Sequence, residues 1–243
     1  MSNALRRQWE TRIGTSKMHV VLPARDPDER VVTATPGAPL RTRDHAAIVY
    51  WEQAELLEAI VPYLAEGIRA GDKVVYVADE TPPATLIAAL DAAMVDVDAE
   101  TASGGLTLVR ARDVFFASGR FDVEAALKGM ASLAAAAERD GYRRVRLSVE
   151  MTYLLADGPG IERGPELEAR LTEEVFARFP FVCLCSFNGA RDTNAILQRV
   201  LETHPILMSG GIPLANPYYR AWSDQTRARG GRPPEPDRPS RGA

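Results

Sequence analysis

A regular alternation of two kinds of segment restricts the fold of this chain more than any other feature of its sequence. Short segments with apolar residues on consecutive positions, rich in β-branched and aromatic side chains, are typical of strands covered on both faces, as in a parallel sheet. These predicted strands are residues 45–51, 73–79, 106–111, 143–150 and 181–187, with a short sixth strand near 206–208.

Longer amphipathic segments lie between the predicted strands. They are residues 54–71, 83–94, 121–141, 166–179 and 193–204. Their apolar positions recur at helical spacing, and Gly71 follows the first of them where a helix cap is expected. Alternation of strand and helix implies right-handed crossovers. We therefore predict an α/β fold with three α/β/α layers and a mostly parallel central sheet.

Composition divides the chain into three parts. Residues 1–42 are rich in Pro, Asp and Arg, and we expect a partly ordered N-terminal arm. Residues 43–222 contain the alternating segments and form the predicted domain. Residues 223–243 are Pro, Gly and Arg with almost nothing apolar, so burial cannot offset their ordering entropy and we expect a disordered tail.

Charge and hydropathy exclude several classes of protein. The net charge of −4 argues against direct nucleic-acid binding, and no apolar run reaches the ~18 residues that a membrane span needs. The N-terminus lacks the apolar region of a secretory signal, so we expect a cytoplasmic protein. Cys183 and Cys185 flank a single residue, and we expect them on opposite faces of a strand, unsuited to a mutual disulfide.

Acidic residues end several predicted strands. Glu150 ends one, Asp79 and Glu80 end another, and Trp51 and Glu52 follow the first. Ligands of such sheets bind beyond the carboxyl ends of the strands, so these side chains are candidates for a site. Acids in these positions also cap the next helix or pair with arginine, and the sequence leaves both interpretations open.

The segments GIRAGDKVVYVADETPPATLIAAL (67–90) and YRRVRLSVEMTYLL (142–155) resemble the core of RecA- and KaiC-like ATPases. The resemblance places Glu150 near the end of the strand that carries the Walker B acid. A phosphate-binding loop needs glycines, a lysine and a Ser or Thr between the first strand and helix. That junction reads VYWEQAELLE (49–58) and has none of them. We therefore predict a degenerate P-loop, no ATP turnover and no enzyme activity.

A second resemblance runs from His45 to Trp222. Its elements are His45, the aromatic pair Tyr50 and Trp51, and the segments PYLAEGIRAGDKVVYVADE (62–80), FFASGR with FDVEAAL (115–127), VEMTYLL (149–155), ETHP (202–205) and NPYY (216–219). In this order they resemble the MEDS domain, the sensory domain of methanogens, methylotrophs and the regulator DcmR. The resemblance implies a non-catalytic sensor of simple hydrocarbon derivatives in bacterial signalling or transcriptional regulation. It also implies a signalling partner, such as a histidine kinase or a sigma-factor regulator.

From strand ends and this resemblance together we predict one ligand site at the carboxyl edge of the sheet. Its residues are His45, Tyr50, Trp51, Glu52, Asp79, Glu80, Glu150, Tyr153 and Phe187. His45 is included only because the family pattern contains it. Aromatic walls with carboxylates suit a small apolar or cationic organic ligand. The aromatic side chains are equally consistent with a packed core.

We expect no cofactor and no metal site. His45, His204, Cys183 and Cys185 show none of the paired spacings that zinc sites prefer.

Two other functions fit the sequence. One is a nucleotide binder without hydrolysis that holds phosphates with Arg191, Arg120 or Lys73. The other is a pure interaction module for a kinase or an anti-sigma partner. The sequence also allows a homodimer. A hydrolase fits poorly, because no G-x-S-x-G motif occurs.

Overall fold

Among the residues that the structure describes, the central sheet has seven strands in the order β3-β2-β4-β5-β1-β6-β7. The computed structural model describes residues 39–191 and 194–228. The strands are β1 (His45–Tyr50), β2 (Lys73–Ala78), β3 (Leu106–Arg110), β4 (Val145–Glu150), β5 (Phe181–Asn188), β6 (Ile206–Ser209) and β7 (Ile212–Ala215). Every pairing is parallel except that of β6 with β7.

Helices cover both faces of this sheet. They are α1 (Gln53–Arg69), α2 (Pro83–Ala92), α3 (Val97–Ala102), α4 (Ala111–Phe115), α5 (Val123–Arg139), α6 (Gly164–Arg170), α7 (Asn194–Thr203) and α8 (Trp222–Ala228). The apolar sides of α1, α2 and α3 pack on one face, which we call the α1 face. The helices α5, α6 and α7 pack on the other, which we call the α5 face. The three-layer, mostly parallel fold predicted from the alternation is confirmed.

These segments form buried strands because their side chains are apolar on both faces of the sheet. All six residues of β1 and of β4 are buried, as expected for strands with helices above and below. The helix α1 ends where Gly71 takes a positive φ of 72° and donates its N–H to the carbonyl of Ile68. This is the cap that the sequence predicted.

The segment predicted as one helix over residues 166–179 divides into two kinds of helix. It begins as α6 and continues as a π-helix over Leu171–Phe176. Wider turns of this kind shift the side chains that follow them and are frequent at functional sites. Here the π-helix lies over the part of the sheet that contains His45, because Thr172 hydrogen-bonds the His45 ring.

Two elements near the end of the described chain were not predicted. The strand β7 adds an antiparallel edge next to β6. The helix α8 begins at Trp222 and is anchored where Ser223 donates to the Glu173 carboxylate. The predicted tail therefore starts too early, at residue 223; residues 229–243 and most of the predicted N-terminal arm lie outside the described residues. Within the described ranges, no helix is long and apolar enough to cross a membrane.

Candidate functional site

Glu150, the acid that ends β4, is fully buried and fully engaged. Its Oε2 accepts the backbone N–H groups of Asp79, Glu80 and Thr81 at 3.0, 2.6 and 3.0 Å. Its Oε1 accepts the Tyr76 hydroxyl in a short hydrogen bond. Burial, together with the Glu150 charge, raises the pKa of Tyr76, which keeps that hydroxyl protonated as a donor. Glu150 thus fixes the loop after β2 in place.

The neighbouring acids at this edge also have protein partners. Asp79 accepts the Thr152 hydroxyl at 2.6 Å. Glu80 pairs with Arg191 and lies 3.5 Å from the Asn188 amide, so it links the loops after β2 and β5. The carboxyl edge of the sheet is therefore a network of polar contacts between loops.

The junction between β1 and α1 is closed by an acid. The Glu55 carboxylate accepts the backbone N–H of Trp51 at 2.8 Å, in the loop where a P-loop would offer N–H groups to phosphate. Gly189 lies against the Trp51 ring, and a Cβ added to Gly189 would stand only 2.8 Å from a carbon of that ring. Glu52 is exposed at the start of the helix and does not cap it. A carboxylate rather than a cation faces this loop, as the missing glycines and lysine suggested.

The structure does not bring all the predicted ligand-binding residues into one pocket. Tyr50 belongs to the core of the α1 face. Tyr153 and Phe187 belong to the core of the α5 face, where Tyr153 stacks on Phe115 with ring centroids 4.4 Å apart. His45 begins β1 and lies beside Cys183 in the register, at the opposite end of the strands from Glu150. The geometric argument failed here because strand ends share an edge while their side chains alternate between faces.

A buried cluster of His45, Glu168, Cys185 and His204 lies on the α5 face. None of these residues is more than 4% exposed, and their potential ligand atoms all lie within 4.8 Å of one another. The Nε2 of His45 is 3.4 Å from the Cys185 sulfur and 3.8 Å from the Glu168 carboxylate. The Nε2 of His204 is 3.2 Å from the same carboxylate oxygen. This arrangement brings two imidazoles, a thiol and a carboxylate together in the buried core.

The two imidazoles of this cluster are held through their other nitrogens. His45 Nδ1 hydrogen-bonds the Thr172 hydroxyl at 2.9 Å. His204 Nδ1 is 2.9 Å from the Thr203 hydroxyl and 3.2 Å from the carbonyl of Val200. Both rings therefore direct Nε2 toward Glu168 and Cys185.

Burial separates the proton affinities of the two rings. Burial and the neighbouring His204 charge lower the pKa of His45 well below its usual value. Burial also lowers the pKa of His204, but its contacts with Cys185 and Glu168 outweigh this and raise it to about 9. The hydrogen bond between Cys185 and Cys183, together with burial, raises the pKa of the Cys185 thiol. The Glu168 carboxylate thus attracts a positive charge into this part of the core.

The expected orientation of the cysteines was wrong. Cys183 and Cys185 both belong to the core of the α5 face, with sulfurs 3.8 Å apart. Residues two apart in a strand share a face, since side chains alternate with a period of two. Both cysteines are free thiols.

A small pocket of about 50 Å³ reaches this cluster through Glu168. Its lining residues are Leu154, Ile161, Pro165, Glu168, Phe187, Arg199, Val200 and Thr203. The lining is mostly apolar, with one acid, one arginine and one threonine. Phe187 is the one predicted ligand-binding residue that lines it.

Reasoning from spacing missed this cluster because its members come from four different elements. His45 is in β1, Glu168 in α6, Cys185 in β5 and His204 just after α7. The sequence did contain one usable signal: Glu168 lies near Leu171 and Val175 at helical spacing, on a face that packs against the sheet. An acid on such a face needs a buried partner.

Comparison with solved structures supports the fold alone. The chain is similar to a KaiC-like protein from Pyrococcus horikoshii, with 12% identity, a TM-score of 0.50, and coverage of 71% of this chain and 73% of that one. An uncharacterized protein from the same archaeon, solved with an unknown peptide, is 14% identical with a TM-score of 0.52; the match covers 72% of this chain and 84% of that one. The flagellar accessory protein FlaH from Methanocaldococcus jannaschii is 13% identical with a TM-score of 0.50; the match covers 76% of this chain and 84% of that one.

A search of curated proteins finds no match. A family profile, in contrast, matches residues 44–205, which is more than half of the 243 residues. The matched range begins beside His45 and ends beside His204, so it spans the cluster, the pocket and the Glu150 network. The chain belongs to the MEDS family, the methanogen/methylotroph, DcmR sensory domain.

Proposed function

We propose that this chain is a sensor that binds a small organic molecule reversibly, without chemical turnover, in the pocket beside Glu168 and Phe187. Membership of a sensory family supports a role in signalling. The pocket is the observation that supports ligand binding, since mostly apolar walls with a few polar groups are the usual composition of small-molecule sites.

The size of the pocket favours a very small ligand. A buried water needs roughly 10–15 Å³ of such volume. A pocket of about 50 Å³ therefore has room for only a few heavy atoms without side-chain movement. Leu154, Ile161 and Val200 would pack on an apolar body, while Arg199 and Thr203 would contact one polar group. A simple hydrocarbon derivative, such as a small alcohol, amine or halogenated hydrocarbon, meets these requirements.

The turn after Glu150 offers a path from the pocket to the carboxyl edge. Leu154 lines the pocket and belongs to the 3₁₀ turn Met151–Leu155. Thr152 in the same turn donates to Asp79, whose N–H is bound by Glu150. A ligand that moves Leu154 would change the position of this edge loop, which is where we place the output to a signalling partner.

Ligand binding is tested by a thermal-shift screen of the full chain with small alcohols, amines and halogenated hydrocarbons. We expect a hit whose stabilisation is lost in Ile161→Trp, which fills the pocket, and kept in Glu52→Ala at the exposed carboxyl edge. The reverse pattern would place the ligand at the edge predicted from sequence. No stabilisation by any of these compounds would argue against the proposed ligand class.

Absence of turnover is a separate expectation. The Glu55 carboxylate at the β1–α1 junction and the full engagement of Glu150 both disfavour binding and activation of a nucleotide phosphate. We expect no phosphate release from ATP with magnesium above a heat-inactivated control. Release that is abolished by Glu150→Gln would show that the chain is an ATPase.

A further inference from the structure

We propose that His45, Glu168, Cys185 and His204 bind one divalent transition-metal ion, with zinc as the best match. This inference does not depend on the pocket ligand. Imidazole nitrogen, thiolate sulfur and carboxylate oxygen are the ligand types of protein zinc sites, and four of them complete a tetrahedral shell.

The distances between these atoms already approach those of a tetrahedral site. Zinc bonds of about 2.0–2.3 Å place neighbouring ligand atoms about 3.3–3.6 Å apart. In this structure the separations are 3.4 Å from His45 Nε2 to the Cys185 sulfur and 3.2 Å from His204 Nε2 to Glu168 Oε2. The separation from His45 Nε2 to Glu168 Oε2 is 3.8 Å. All four ligand atoms lie within 4.8 Å of one another, so shifts of up to about one ångström would bring every pair to tetrahedral spacing.

Two of the ligand atoms lack a hydrogen-bond partner although they are buried. His204 Nε2 and Glu168 Oε2 face each other without the orientation of a hydrogen bond. Buried polar atoms are nearly always satisfied, so these two are balanced either as an ion pair of protonated His204 with Glu168 or by an ion bound between them. A metal ion between them would accept both lone pairs at once.

The hydrogen bonds around the cluster also favour Nε2 as the ligand atom. The Thr203 hydroxyl donates to the carbonyl of Arg199, so its oxygen accepts the proton of His204 Nδ1. The Val200 carbonyl can only accept. Nδ1 therefore carries a proton in either charge state of the ring, and loss of the Nε2 proton leaves the lone pair that a metal ion would bind. Metal-binding histidines are usually oriented in this way by a partner on the second nitrogen.

The charges balance in a site that water hardly reaches. A divalent ion with two neutral imidazoles, one carboxylate and one thiolate has no net charge. Zinc displaces the Cys185 thiol proton and the proton on His204 Nε2, and both leave with solvent as the Zn–S and Zn–N bonds form. Neutrality matters because an unbalanced charge in a buried site is costly. Glu168 also lines the small pocket, so one of the four ligands borders a cavity.

Cys183 is the matched control for Cys185. It is buried in the same strand, on the same face, with its sulfur 3.8 Å away, but it is outside the four-residue cluster. Replacing either thiol with serine makes the same small change in the core, and only the Cys185 change removes a ligand.

The test measures metal bound to the full-length chain after any affinity tag has been removed. We expect about one zinc per chain by mass spectrometry of the purified protein or after incubation with zinc. X-ray absorption should show one Zn–S bond of about 2.3 Å and three nitrogen or oxygen ligands at about 2.0–2.2 Å. Cobalt substitution should give tetrahedral visible bands and a sulfur-to-cobalt charge-transfer band.

The variants should separate the two cysteines. In competition with a chromophoric chelator, Cys185→Ser should weaken zinc binding by more than about 100-fold, beyond the usual effect of losing an outer-shell partner. It should also remove the charge-transfer band, whereas Cys183→Ser should keep both affinity and band. Equal binding by the two variants, a wild-type chain that takes up neither zinc nor cobalt, or a zinc site without sulfur would each overturn the proposal. If Cys185→Ser does not fold, the wild-type absorption spectrum decides alone. Retention of zinc by Ile161→Trp would show that the metal site stands whatever the fate of the proposed ligand.

Discussion

The Glu150 network and the Glu168 cluster are two buried acidic sites in one domain, and they treat their carboxylates in opposite ways. Glu150 is surrounded by donors: three backbone N–H groups and one hydroxyl. Glu168 lies beside two imidazole nitrogens and a cysteine sulfur, which are all potential metal ligands. The first carboxylate is satisfied by fixed hydrogen-bond donors, whereas the second is balanced by a charge, from protonated His204 or from the proposed metal ion.

This difference separates a structural acid from a candidate functional one. The position of Glu150 at a strand end resembles that of a Walker B acid, yet every hydrogen bond to its carboxylate comes from the protein's own N–H and O–H groups. Glu168 on α6 was not a candidate from sequence, yet the side chains around it are of the types that form binding sites. Burial alone does not distinguish the two; the chemical type of the neighbouring atoms does.

The strongest test of the comparison is Glu150→Ala. It leaves three N–H groups and the Tyr76 hydroxyl without their acceptor in a buried place, and we expect a loss of about 3–5 kcal/mol in the free energy of unfolding. Chemical denaturation of the variant and wild type would measure it. Glu52→Ala, an exposed acid at the same edge, is the control and should change stability by less than about 0.5 kcal/mol. Equal effects would mean that the Glu150 hydrogen bonds contribute little.

The second test asks whether the Glu168 cluster gains stability from a cation. If zinc binds the folded chain alone, free zinc at 100 times its dissociation constant should add about 2.7 kcal/mol to the unfolding free energy. A chelator should remove this gain. Denaturant midpoints with and without zinc would measure it.

Glu150→Ala should retain the zinc effect if it folds, because the two sites use different side chains. Cys185→Ser should lose it. If zinc instead stabilised Cys185→Ser as much as wild type, the contrast between the two acids would have to be explained without a metal.

The smallest expected effect concerns the pair of Glu80 with Arg191 at the carboxyl edge. The Arg191 side chain is more than half exposed, so solvent screens the pair, and Arg191→Ala should cost no more than about 1 kcal/mol. A double-mutant cycle with Glu80→Ala would isolate the pairwise term. A coupling of several kcal/mol would show that this edge is more rigid than its exposure suggests.

Much of the fold was predictable from local patterns. The alternation of apolar runs such as 181–187 with amphipathic segments such as 54–71 predicted the layers and the parallel pairing, because burial on both faces leaves a strand no polar side. Strand boundaries differ from the structure by only one or two residues. The short helices α3, α4 and α8 and the strand β7 were not predicted, since segments of four to seven residues have too few periods to show a pattern. The π-helix was predicted only as part of a regular helix over 166–179.

The candidate site was predictable only in part. Phe187 was predicted to bind ligand and does line the pocket. Glu168, Arg199 and Thr203 were not singled out, because no local spacing relates them to Phe187. His45 was included by resemblance to the family, and the structure places it in the buried cluster at the other end of its strand.

The sequence by itself determined the order of strands and helices, the degenerate phosphate loop at residues 49–58 and membership of a sensory family. These are properties of residues near one another in the chain. Only the tertiary structure decided that Glu150 is enclosed by N–H groups and that Glu168 meets two histidines and a cysteine. The physical reason is that the partners of a buried charge come from whichever elements pack around it. His45 and Cys185 are 140 residues apart, and only the pairing of β1 with β5 brings them together.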